Sequence, residues 1–526
     1  MACSSREKER AMSGIFRDSA AAATEKYDLI IVGGGIYGVM LALEAGQRQQ
    51  RALLLEQEDF GGATSLNHLR TIHGGLRYLQ SLDLPRCIES IRERRWFLTH
   101  FPALVQVLPC LMPLYGRGLK RPLIMAPALF LNDLLGFNRN RGVNAQKRLP
   151  PGRLVSSAFT VRAFPQVDRA GLRASAMWVD AAAPEHQRLL MEILRWACAL
   201  GAVALNYVQA EGLLLHDGQV RGVLARDLPS GQGYEFRSPV VINAAGPWCR
   251  QLAQNFDRDY PRLFRKNLLL FNILFRRKAL SEYALALNPP SPTGGRAQPP
   301  SPTWGRAQPP SRRDHTYFVH NWKNRLLAGT AEILVAGQTE NPRPEPEQIA
   351  DFLFDMNSAV PELSLSEKDI EHVYAGILPA TEAGTLAKRE VIIRHRDHGG
   401  PSGLFSVSGV KFTTSRLVAE KTMRRVFPGR PDREPQDPPV DANSGRWFFD
   451  YDWLPGAADA EAFASLKTLV EEEAVVHLDD LVFRRSSLGE NRRRAMELLP
   501  RLRSLFSWND LRWQQEMERL KNLALP

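Results

Sequence analysis

Three glycines and a glutamate near the start of the chain have the types and the spacing that bind a dinucleotide. Gly33, Gly35 and Gly38 follow a short apolar run in GxGxxG spacing, and Glu56 closes the next apolar run. In this pattern the first glycine permits a tight turn, the second lets backbone approach a pyrophosphate, and the third packs a helix on a strand. The acidic residue is placed to accept a hydrogen bond from a ribose hydroxyl. The combination favours a dinucleotide site over a structural glycine loop.

The elements that would position these residues are a strand, a helix and a second strand. Residues 28–32 and 52–55 are short apolar runs typical of buried parallel strands, and residues 39–45 continue the glycine motif as a helix. The helix N-terminus would present unpaired N–H groups and the positive end of its dipole to the diphosphate. Later in the chain, short strands alternate with helices, and only helices are predicted after residue 441. This order predicts an α/β (α+β mixed) fold with a Rossmann-type domain.

Length, charge and cysteine usage limit the protein classes. With 526 residues, the chain is long enough for two or three domains. A net charge of +11 favours anionic partners, but the basic residues are spread widely and do not predict nucleic-acid binding. Five scattered cysteines without a CxxC pair argue against a disulfide framework or a metal site. We therefore expect no bound metal and a reducing, cytoplasmic location, with the inner face of the membrane as an alternative.

Several stretches have an unusual composition. Residues 1–24 are polar and alanine-rich, which predicts a disordered extension. Residues 289–313 nearly repeat a ten-residue proline-rich sequence, which predicts a surface insertion with polyproline character. The apolar stretches 101–114 and 123–135 are too short to span a membrane. We predict that both are buried, with shallow insertion into a bilayer as the alternative.

Further motifs make the chain similar to the FAD-dependent glycerol-3-phosphate dehydrogenases, a family within the amino-acid-oxidase-like flavoproteins. They are Ala63-Thr64-Ser65, HGGLRYL at 73–79, Asn243 to Trp248, GVKFTT at 409–414 and the tail segment 480–489. The HGGLRYL string is far more specific than the glycine motif. The resemblance covers about residues 27–525, apart from the proline-rich insertion.

The resemblance implies FAD bound in an extended form by a Rossmann-type FAD-binding domain, with a β-sheet substrate domain and a C-terminal helical cap. The FAD-binding and substrate domains would be interleaved over residues 25–440, and the helical domain would occupy residues 441–526. The residues implied to contact the cofactor are Gly33, Gly35, Gly38, Glu56, Thr64, Ser65, Val208, Gly246, Lys411 and Thr413.

Five residues are expected to act in catalysis or substrate binding. The resemblance implies that Lys411 stabilises negative charge on the flavin as a hydride arrives. It also implies that Arg77 and Arg389 bind an anionic group of the substrate, and Tyr78 is placed to donate a hydrogen bond. His320 is a candidate base, with an ordinary core or surface histidine as the alternative.

Two departures from the family pattern concern the substrate. Leu378 stands in Gly376-Ile377-Leu378-Pro379, where the family usually has an arginine, and segment 266–270 lacks the expected family histidine. Truncating a buried charge pair costs roughly 2–5 kcal/mol. We therefore expect weak activity on glycerol 3-phosphate and a preference for a bulkier or less charged alcohol or hydroxy acid.

The expected function is oxidation of a secondary alcohol, such as a polyol phosphate or a related hydroxy compound, by hydride transfer to flavin. The expected partners are a small alcohol substrate, anionic or neutral, and a quinone-type electron acceptor. Association with a membrane surface is a further expectation, and no oligomeric state is predicted. Two alternatives stay open: an FAD-dependent amine or amino-acid oxidase that uses oxygen, and a flavin-binding protein without substrate turnover.

Overall fold

The computed structural model describes residues 14–116, 121–260, 265–289, 316–335, 342–429, 436–438, 459–490 and 492–522. Apart from its first residue, the proline-rich insertion lies outside these ranges. The helices are α1 Ser19–Thr24, α2 Ile36–Gln47, α3 Ala63–Leu66, α4 Leu84–His100, α5 Pro122–Leu135, α6 Ser157–Ala163, α7 His186–Ala199, α8 Cys249–Phe256, α9 Pro346–Ala359, α10 Ser415–Val426, α11 Asp459–Glu472, α12 Arg492–Leu502 and α13 Asp510–Asn522.

The strands are β1 Leu29–Val32, β2 Ala52–Leu55, β3 Thr71–Ile72, β4 Gln106–Leu114, β5 Arg153–Ser156, β6 Ala174–Ala182, β7 Val203–Leu205, β8 Val208–His216, β9 Gln219–Asp227, β10 Gly233–Arg237, β11 Val241–Asn243, β12 Lys266–Phe275, β13 Ala284–Leu287, β14 Tyr317–Trp322, β15 Arg325–Val335, β16 Ile370–Ala380, β17 Val391–Arg394 and β18 Leu404–Ser408. A short π-helical segment spans Asp480–Arg485.

The chain divides into two compact units that alternate along the sequence. The first unit comprises Met1–Leu66, Glu185–Leu263 and Arg389–Pro526, and the second comprises Asn67–Pro184 and Phe264–Lys388. The C-terminal helices thus belong to the first unit, although they enclose a hydrophobic core of their own around Leu469, Leu481 and Leu499. Each unit is assembled from segments that are distant in the sequence.

The first unit contains a six-stranded sheet in the order β17-β18-β11-β1-β2-β7. Its strands run parallel except β17, which pairs antiparallel with β18. All residues of β1 and β2 are buried, as expected for parallel strands covered on both faces. Helix α2 packs against α7 and α10. The predicted Rossmann-type domain is confirmed, and the carboxyl ends of β1, β2, β11 and β18 meet at one edge of the sheet.

The second unit contains a nine-stranded sheet in which β16, β12, β15 and β14 are consecutive neighbours. One face of this sheet packs against α9, through contacts that include Phe271, Leu326 and Phe352. On the opposite face, Trp322 and Tyr374 lie in a smaller apolar cluster. Because side chains alternate along a strand, β12, β14, β15 and β16 present two chemically distinct surfaces.

Residues 14–24 are ordered, so the prediction of a disordered extension is wrong for this part of the chain. The Asp18 carboxylate caps α1 by accepting from the Ala21 N–H at 2.8 Å. Arg17 and Ser19 both donate to the Asp227 carboxylate, at 2.5 and 2.7 Å. These contacts join partners more than two hundred positions apart, so no local sequence pattern announces them. Residues 1–13 lie outside the described ranges.

The two apolar stretches have different outcomes. Residues 106–114 form β4, whose second half is buried as predicted. Helix α5, in contrast, buries Met125 and Leu129 and exposes the opposite face, with Leu123 86% and Phe130 71% exposed. Full burial is therefore wrong for the stretch 123–135. Among the described residues, no helix combines the length and the apolar character needed to cross a bilayer.

Candidate active site

The glycine motif forms the turn between β1 and α2. Gly33 has φ +112°, and a Cβ there would lie 2.6 Å from the Ala244 carbonyl oxygen. A Cβ on Gly38 would lie 1.8 Å from the Gly33 carbonyl oxygen, so these two positions require glycine for the turn itself. Gly35 differs, because its backbone is extended and a Cβ would meet only Ser65 Oγ, at 3.2 Å. Gly35 therefore leaves open space at the start of α2, where a ligand can approach the backbone.

Glu56 ends β2 at the same edge of the sheet. Its carboxylate accepts from the Gly34 N–H at 2.6 Å and from the Glu58 N–H at 2.9 Å. Burial raises the pKa of Glu56 above its ordinary value. A carboxylate has about four acceptor positions, so lone pairs remain for hydroxyl donors such as those of a ribose.

Two further predicted cofactor residues act on this edge through protein contacts. The Val208 N–H donates to the Glu56 carbonyl oxygen at 2.8 Å, so this N–H supports Glu56 and is not available to a ligand. Ser65 Oγ accepts from the Ile36 N–H at 3.0 Å, which places Ser65 at the start of α2. Thr64 is half-buried in α3, next to Ser65.

The segment after β11 supplies another open position. Gly246 has φ +55°, and a Cβ there would meet no atom within 4 Å. The Asn243 side chain fixes this turn by donating to the Cys249 carbonyl at 2.7 Å and accepting from the Ala245 N–H at 3.2 Å. The Asn243 side chain therefore holds the turn, and open space remains at Gly246.

Lys411 lies in the predicted turn between β18 and α10, which confirms the strand-to-helix expectation. Tyr37 of α2 holds this turn: its hydroxyl donates to the Lys411 carbonyl at 2.8 Å and accepts from the Lys411 N–H at 3.0 Å. A Cβ on Gly409 would lie 1.9 Å from the Tyr37 ring. Thr413 is buried at the same turn. Tyr37 was missed in the sequence, although it stands inside the glycine motif.

These residues fit a dinucleotide cofactor. Turns with open glycines, a helix N-terminus and a half-buried carboxylate all lie at the carboxyl edge of one parallel sheet, where open α/β sheets bind their ligands. The Tyr37 contact brings the Lys411 turn against the helix that begins this site.

In the second unit, the HGGLRYL string forms a loop fixed by buried charges. The Asp180 carboxylate accepts from the Gly74 N–H at 2.6 Å, from Arg94 at 2.5 Å and from the Trp178 indole N–H at 2.9 Å. A Cβ on Gly74 would lie 2.4 Å from the Arg94 guanidinium carbon, which explains this glycine. Asp180 and Arg94 are functional supports that the sequence did not reveal, because both are distant from the loop along the chain.

Arg77 and Tyr78 follow that loop in a short 3-10 turn. Tyr78 is buried and Arg77 is exposed. The guanidinium carbons of Arg77 and Arg86 lie 5.3 and 4.2 Å from the centre of the Tyr78 ring. This part of the second unit is therefore electropositive and suits an anionic or electron-rich group.

The geometry does not support His320 as a base, so this candidate role is corrected. The side chain is 3% exposed. Its Nε2 lies 3.0 Å from the Leu69 carbonyl oxygen, and its Nδ1 lies 3.1 Å from the Asn321 carbonyl oxygen. Burial, with a contribution from nearby Arg70, lowers the pKa of His320. Both nitrogens face backbone acceptors, so the core alternative describes this histidine.

The position of the missing family arginine lies in a row of leucines. Leu378 on β16 is opposite Leu268 on β12, and Leu268 is opposite Leu334 on β15. Leu378 is half-buried. Arg389, the second predicted anion-binding arginine, is exposed just before β17 in the first unit.

One group of potential metal-ligating side chains occurs among the described residues, formed by His477, Asp479 and Glu516. Its carboxylates already pair with cations. Arg519 contacts Asp479 at 2.7 Å, and Arg512 contacts Glu516 at 2.6 Å. These arginines balance the charge of the group without an ion.

Comparisons with known proteins agree with this geometry. Residues 28–425 match the model of the family described as FAD dependent oxidoreductase. The chain is 28% identical to a glycerol-3-phosphate dehydrogenase of Synechocystis over 76% of its length and 70% of the relative's. It is 29% identical to a glycerol-3-phosphate dehydrogenase of Mycobacterium leprae over 75% of its length and 62% of the relative's.

Among solved structures, the fold is similar to that of the glycerol-3-phosphate dehydrogenase from Bacillus halodurans complexed with FAD. The TM-score is 0.66 at 19% identity, and the alignment covers 99% of this chain and 97% of the other. At this level of identity the similarity concerns the fold.

Proposed function

Because the chain belongs to the FAD-dependent oxidoreductase family, we propose that it oxidises a secondary alcohol, either a polyol phosphate or a related hydroxy compound. Bound FAD supplies a flavin ring that accepts a hydride. The curated relatives named glycerol-3-phosphate dehydrogenase support an alcohol as the substrate. The aligned region spans 62–70% of the two relatives' own lengths.

The chain's own residues divide this work between binding and electrostatics. Gly35 and Gly246 admit the cofactor, and Glu56 accepts from its ribose. Lys411, whose backbone is held by Tyr37, would supply a positive charge where negative charge develops. In the second unit, Tyr78 and Arg77 would bind the oxygen-rich part of the substrate.

The observation that carries the choice of substrate is the buried support beneath the HGGLRYL loop. Asp180 holds the loop through the Gly74 N–H and is itself fixed by Arg94 and Trp178. The Arg77 and Arg86 guanidinium groups lie against the Tyr78 ring. Such preorganised cationic groups favour a phosphate or carboxylate. Leu378 stands where the family usually has an arginine, so one anion-binding donor of the family pattern is missing. We therefore propose a substrate with an oxygen-rich end and a bulkier, less charged remainder than glycerol 3-phosphate.

The test is anaerobic bleaching of the bound flavin. The holoprotein is mixed with glycerol 3-phosphate, other polyol phosphates, hydroxy acids and amines, and flavin absorbance is followed over time. We expect a hydroxy compound other than glycerol 3-phosphate to bleach the flavin fastest. Bleaching by an amine alone would favour an amine or amino-acid oxidase, and no bleaching by any compound would favour a flavin-binding protein without turnover.

A quinone-type acceptor completes the proposed reaction. After anaerobic bleaching, a soluble quinone analogue should restore the flavin absorbance much faster than dissolved oxygen does. Rapid reoxidation by oxygen, with peroxide formed, would instead indicate an oxidase.

The exposed face of α5 supports association with an anionic membrane surface. On α5, Leu123, Phe130 and Leu134 are 86, 71 and 58% exposed, with the helical spacing that places apolar side chains along one side. Exposed Arg121 and Arg141 lie on either side of this stretch. The chain's net charge of +11 adds attraction to anionic lipid. An apolar face with basic flanks is typical of helices that lie in a bilayer interface.

Vesicle flotation tests this association. The protein should float with vesicles containing phosphatidylglycerol, and Phe130→Asp should abolish flotation. Phe354→Asp provides a matched control, because Phe354 is 57% exposed on a different helix. Equal flotation of both variants would contradict a role for α5. Binding to neutral vesicles alone would contradict the contribution of anionic lipid.

A further inference from the structure

A buried ion pair joins the C-terminal helices to the loop that follows Glu56. Arg485 donates to both oxygens of the Asp59 carboxylate, at 2.7 Å each. The Arg485 side chain is 0% exposed and that of Asp59 is 2% exposed. A bidentate guanidinium–carboxylate pair fixes orientation as well as distance. The backbone of Asp59 is thereby held by a residue from the far end of the sequence.

The loop held in this way also carries the contacts of Glu56. The Glu58 N–H donates to the Glu56 carboxylate at 2.9 Å, one residue before Asp59. On the other side, the Gly61 N–H donates to the Gly34 carbonyl at 3.0 Å. Residues 56–61 therefore form a short bridge whose two ends contact the glycine turn. A displacement of Asp59 would move the adjacent Glu58 N–H, which orients the Glu56 carboxylate.

The tail is itself anchored to the first unit by buried charges. The Arg485 Nε donates to the Glu473 carbonyl at 3.0 Å. The Glu473 carboxylate in turn accepts from Arg188 of α7, at 2.7 and 2.9 Å. Asn206 joins the two sides, because its amide donates to Asp59 and to the Ala474 carbonyl, at 2.9 Å each. These contacts fix the position of Arg485 relative to the loop that it holds.

We propose that Arg485 is a positioning residue for the cofactor. It holds residues 56–61 so that the Glu56 carboxylate is oriented to accept a hydrogen bond from the ribose of FAD. Through this contact the C-terminal segment increases the affinity of the first unit for the cofactor. This role is independent of which alcohol the protein oxidises. Outer-shell partners that orient a ligand-binding group are commonly worth 10–100-fold in affinity at metal sites, and we expect a similar range for FAD.

Removing one partner alone would leave a buried charge, which is strongly destabilising. The main test is therefore the double variant Asp59→Asn with Arg485→Met, because replacing both ions of a buried pair is often neutral for folding. FAD is removed from the wild-type protein and the variant, and it is added back in a fluorescence titration. Circular dichroism and the thermal midpoint of the apoprotein report whether the fold is retained.

We expect the double variant to fold like the wild type and to bind FAD about 10–100-fold more weakly. Arg519→Met is the matched control, because Arg519 makes a single ion pair with Asp479 on the same tail and is 41% exposed. The control should bind FAD as the wild type does. Arg485→Lys, which keeps the charge but loses the fork, should show an intermediate affinity.

A folded double variant with wild-type FAD affinity would overturn the proposal. A double variant whose apoprotein does not fold would move the test to Arg485→Lys: wild-type affinity there would also overturn it. Weaker FAD binding in the Arg519→Met control, to the same degree, would show a general effect of the tail and would contradict the specific role of Arg485.

Discussion

At the scale of single residues, Gly35 and Gly38 stand in the same motif, yet a side chain would have different effects at the two positions. A Cβ on Gly38 collides with backbone, whereas a Cβ on Gly35 meets only Ser65 Oγ. Gly35→Leu should therefore leave the fold intact and fill the space that the pyrophosphate needs. We expect a folded protein without flavin absorbance and with an unchanged apoprotein thermal midpoint.

Gly233→Leu is the control for that substitution, since a Cβ on Gly233 would meet no atom within 4 Å. The purified Gly233→Leu protein should contain stoichiometric FAD and show the flavin absorbance of the wild type. Stoichiometric FAD in purified Gly35→Leu protein would show that the cofactor does not approach this turn.

Lys411 tests the electrostatic part of the proposed chemistry. Lys411→Met should retain FAD, because Tyr37 contacts only the backbone of this residue in the hydrogen bonds described above. Flavin reduction by the true substrate should slow by roughly 10²–10³-fold, the scale of losing one preorganised donor. Stopped-flow absorbance under anaerobic conditions measures this rate. Lys421→Met removes a lysine that pairs with Glu390 and serves as the control; equal rates in both variants would argue against Lys411.

Leu378 tests substrate specificity. Leu378→Arg restores the family's donor fork within the row formed with Leu268. We expect kcat/KM for glycerol 3-phosphate to rise about tenfold, which corresponds to roughly 1.4 kcal/mol. Leu378→Met, which keeps an apolar side chain of similar volume, should give no such rise. Wild-type turnover of glycerol 3-phosphate faster than that of every other alcohol would contradict the proposed redirection of specificity.

At the scale of elements, the HGGLRYL loop depends on β6 through Asp180. Asp180→Ala would remove the carboxylate that pairs with the Arg94 side chain, which is 4% exposed. Breaking one partner of a buried pair costs about 3–5 kcal/mol. Urea unfolding should show this loss of stability, together with loss of activity.

Glu211→Ala is the comparison for Asp180→Ala, because Glu211 pairs with Arg226 where both side chains are at least 40% exposed. Exposed pairs contribute less than about 1 kcal/mol. Similar urea midpoints for Asp180→Ala and the wild type would show that the loop does not need this support.

The elements with a strong local pattern were predictable from the sequence. The strand–glycine–helix start and the helical character of the tail agree with the structure because apolar periodicity and glycine spacing act locally. The surface position of α5 was not predictable, because an apolar stretch has the same sequence pattern whether its side chains are buried in a core or exposed to solvent. Residues 14–24 and the Asp59–Arg485 pair were missed for another reason: their partners lie hundreds of positions away.

At the scale of the whole molecule, Asp480 makes stability depend on pH. Burial, with Asp59 nearby, raises the pKa of Asp480 from an ordinary 3.8 to about 7. Its contribution to folding is fully present below the ordinary pKa and is lost as the pH rises through about 7. Asp480→Asn removes this titration. The urea midpoint of the variant minus that of the wild type should increase between about pH 4 and pH 7. Above pH 7 this difference should stay constant.

Asp59 and Glu473 have pKa values lowered by their arginine partners and act in the opposite direction, losing stability as the pH falls. Asp59 and Glu473 are present in both the wild type and the Asp480→Asn variant. The titration of Asp480 is therefore measured by the difference between the two curves of urea midpoint against pH. A difference that stays constant from pH 4 to pH 8 would contradict the raised pKa.

The alternation of the two units has a consequence for biosynthesis. Asp59 leaves the ribosome 426 residues before Arg485. At about 5–20 residues per second, that interval lasts roughly 20–85 s. The second unit is complete once residue 388 has been made, whereas the first must wait for the tail. During the wait, nascent chains carry an unneutralised aspartate beside an unfinished apolar sheet, so slow or interrupted translation should favour aggregation of this unit before the other.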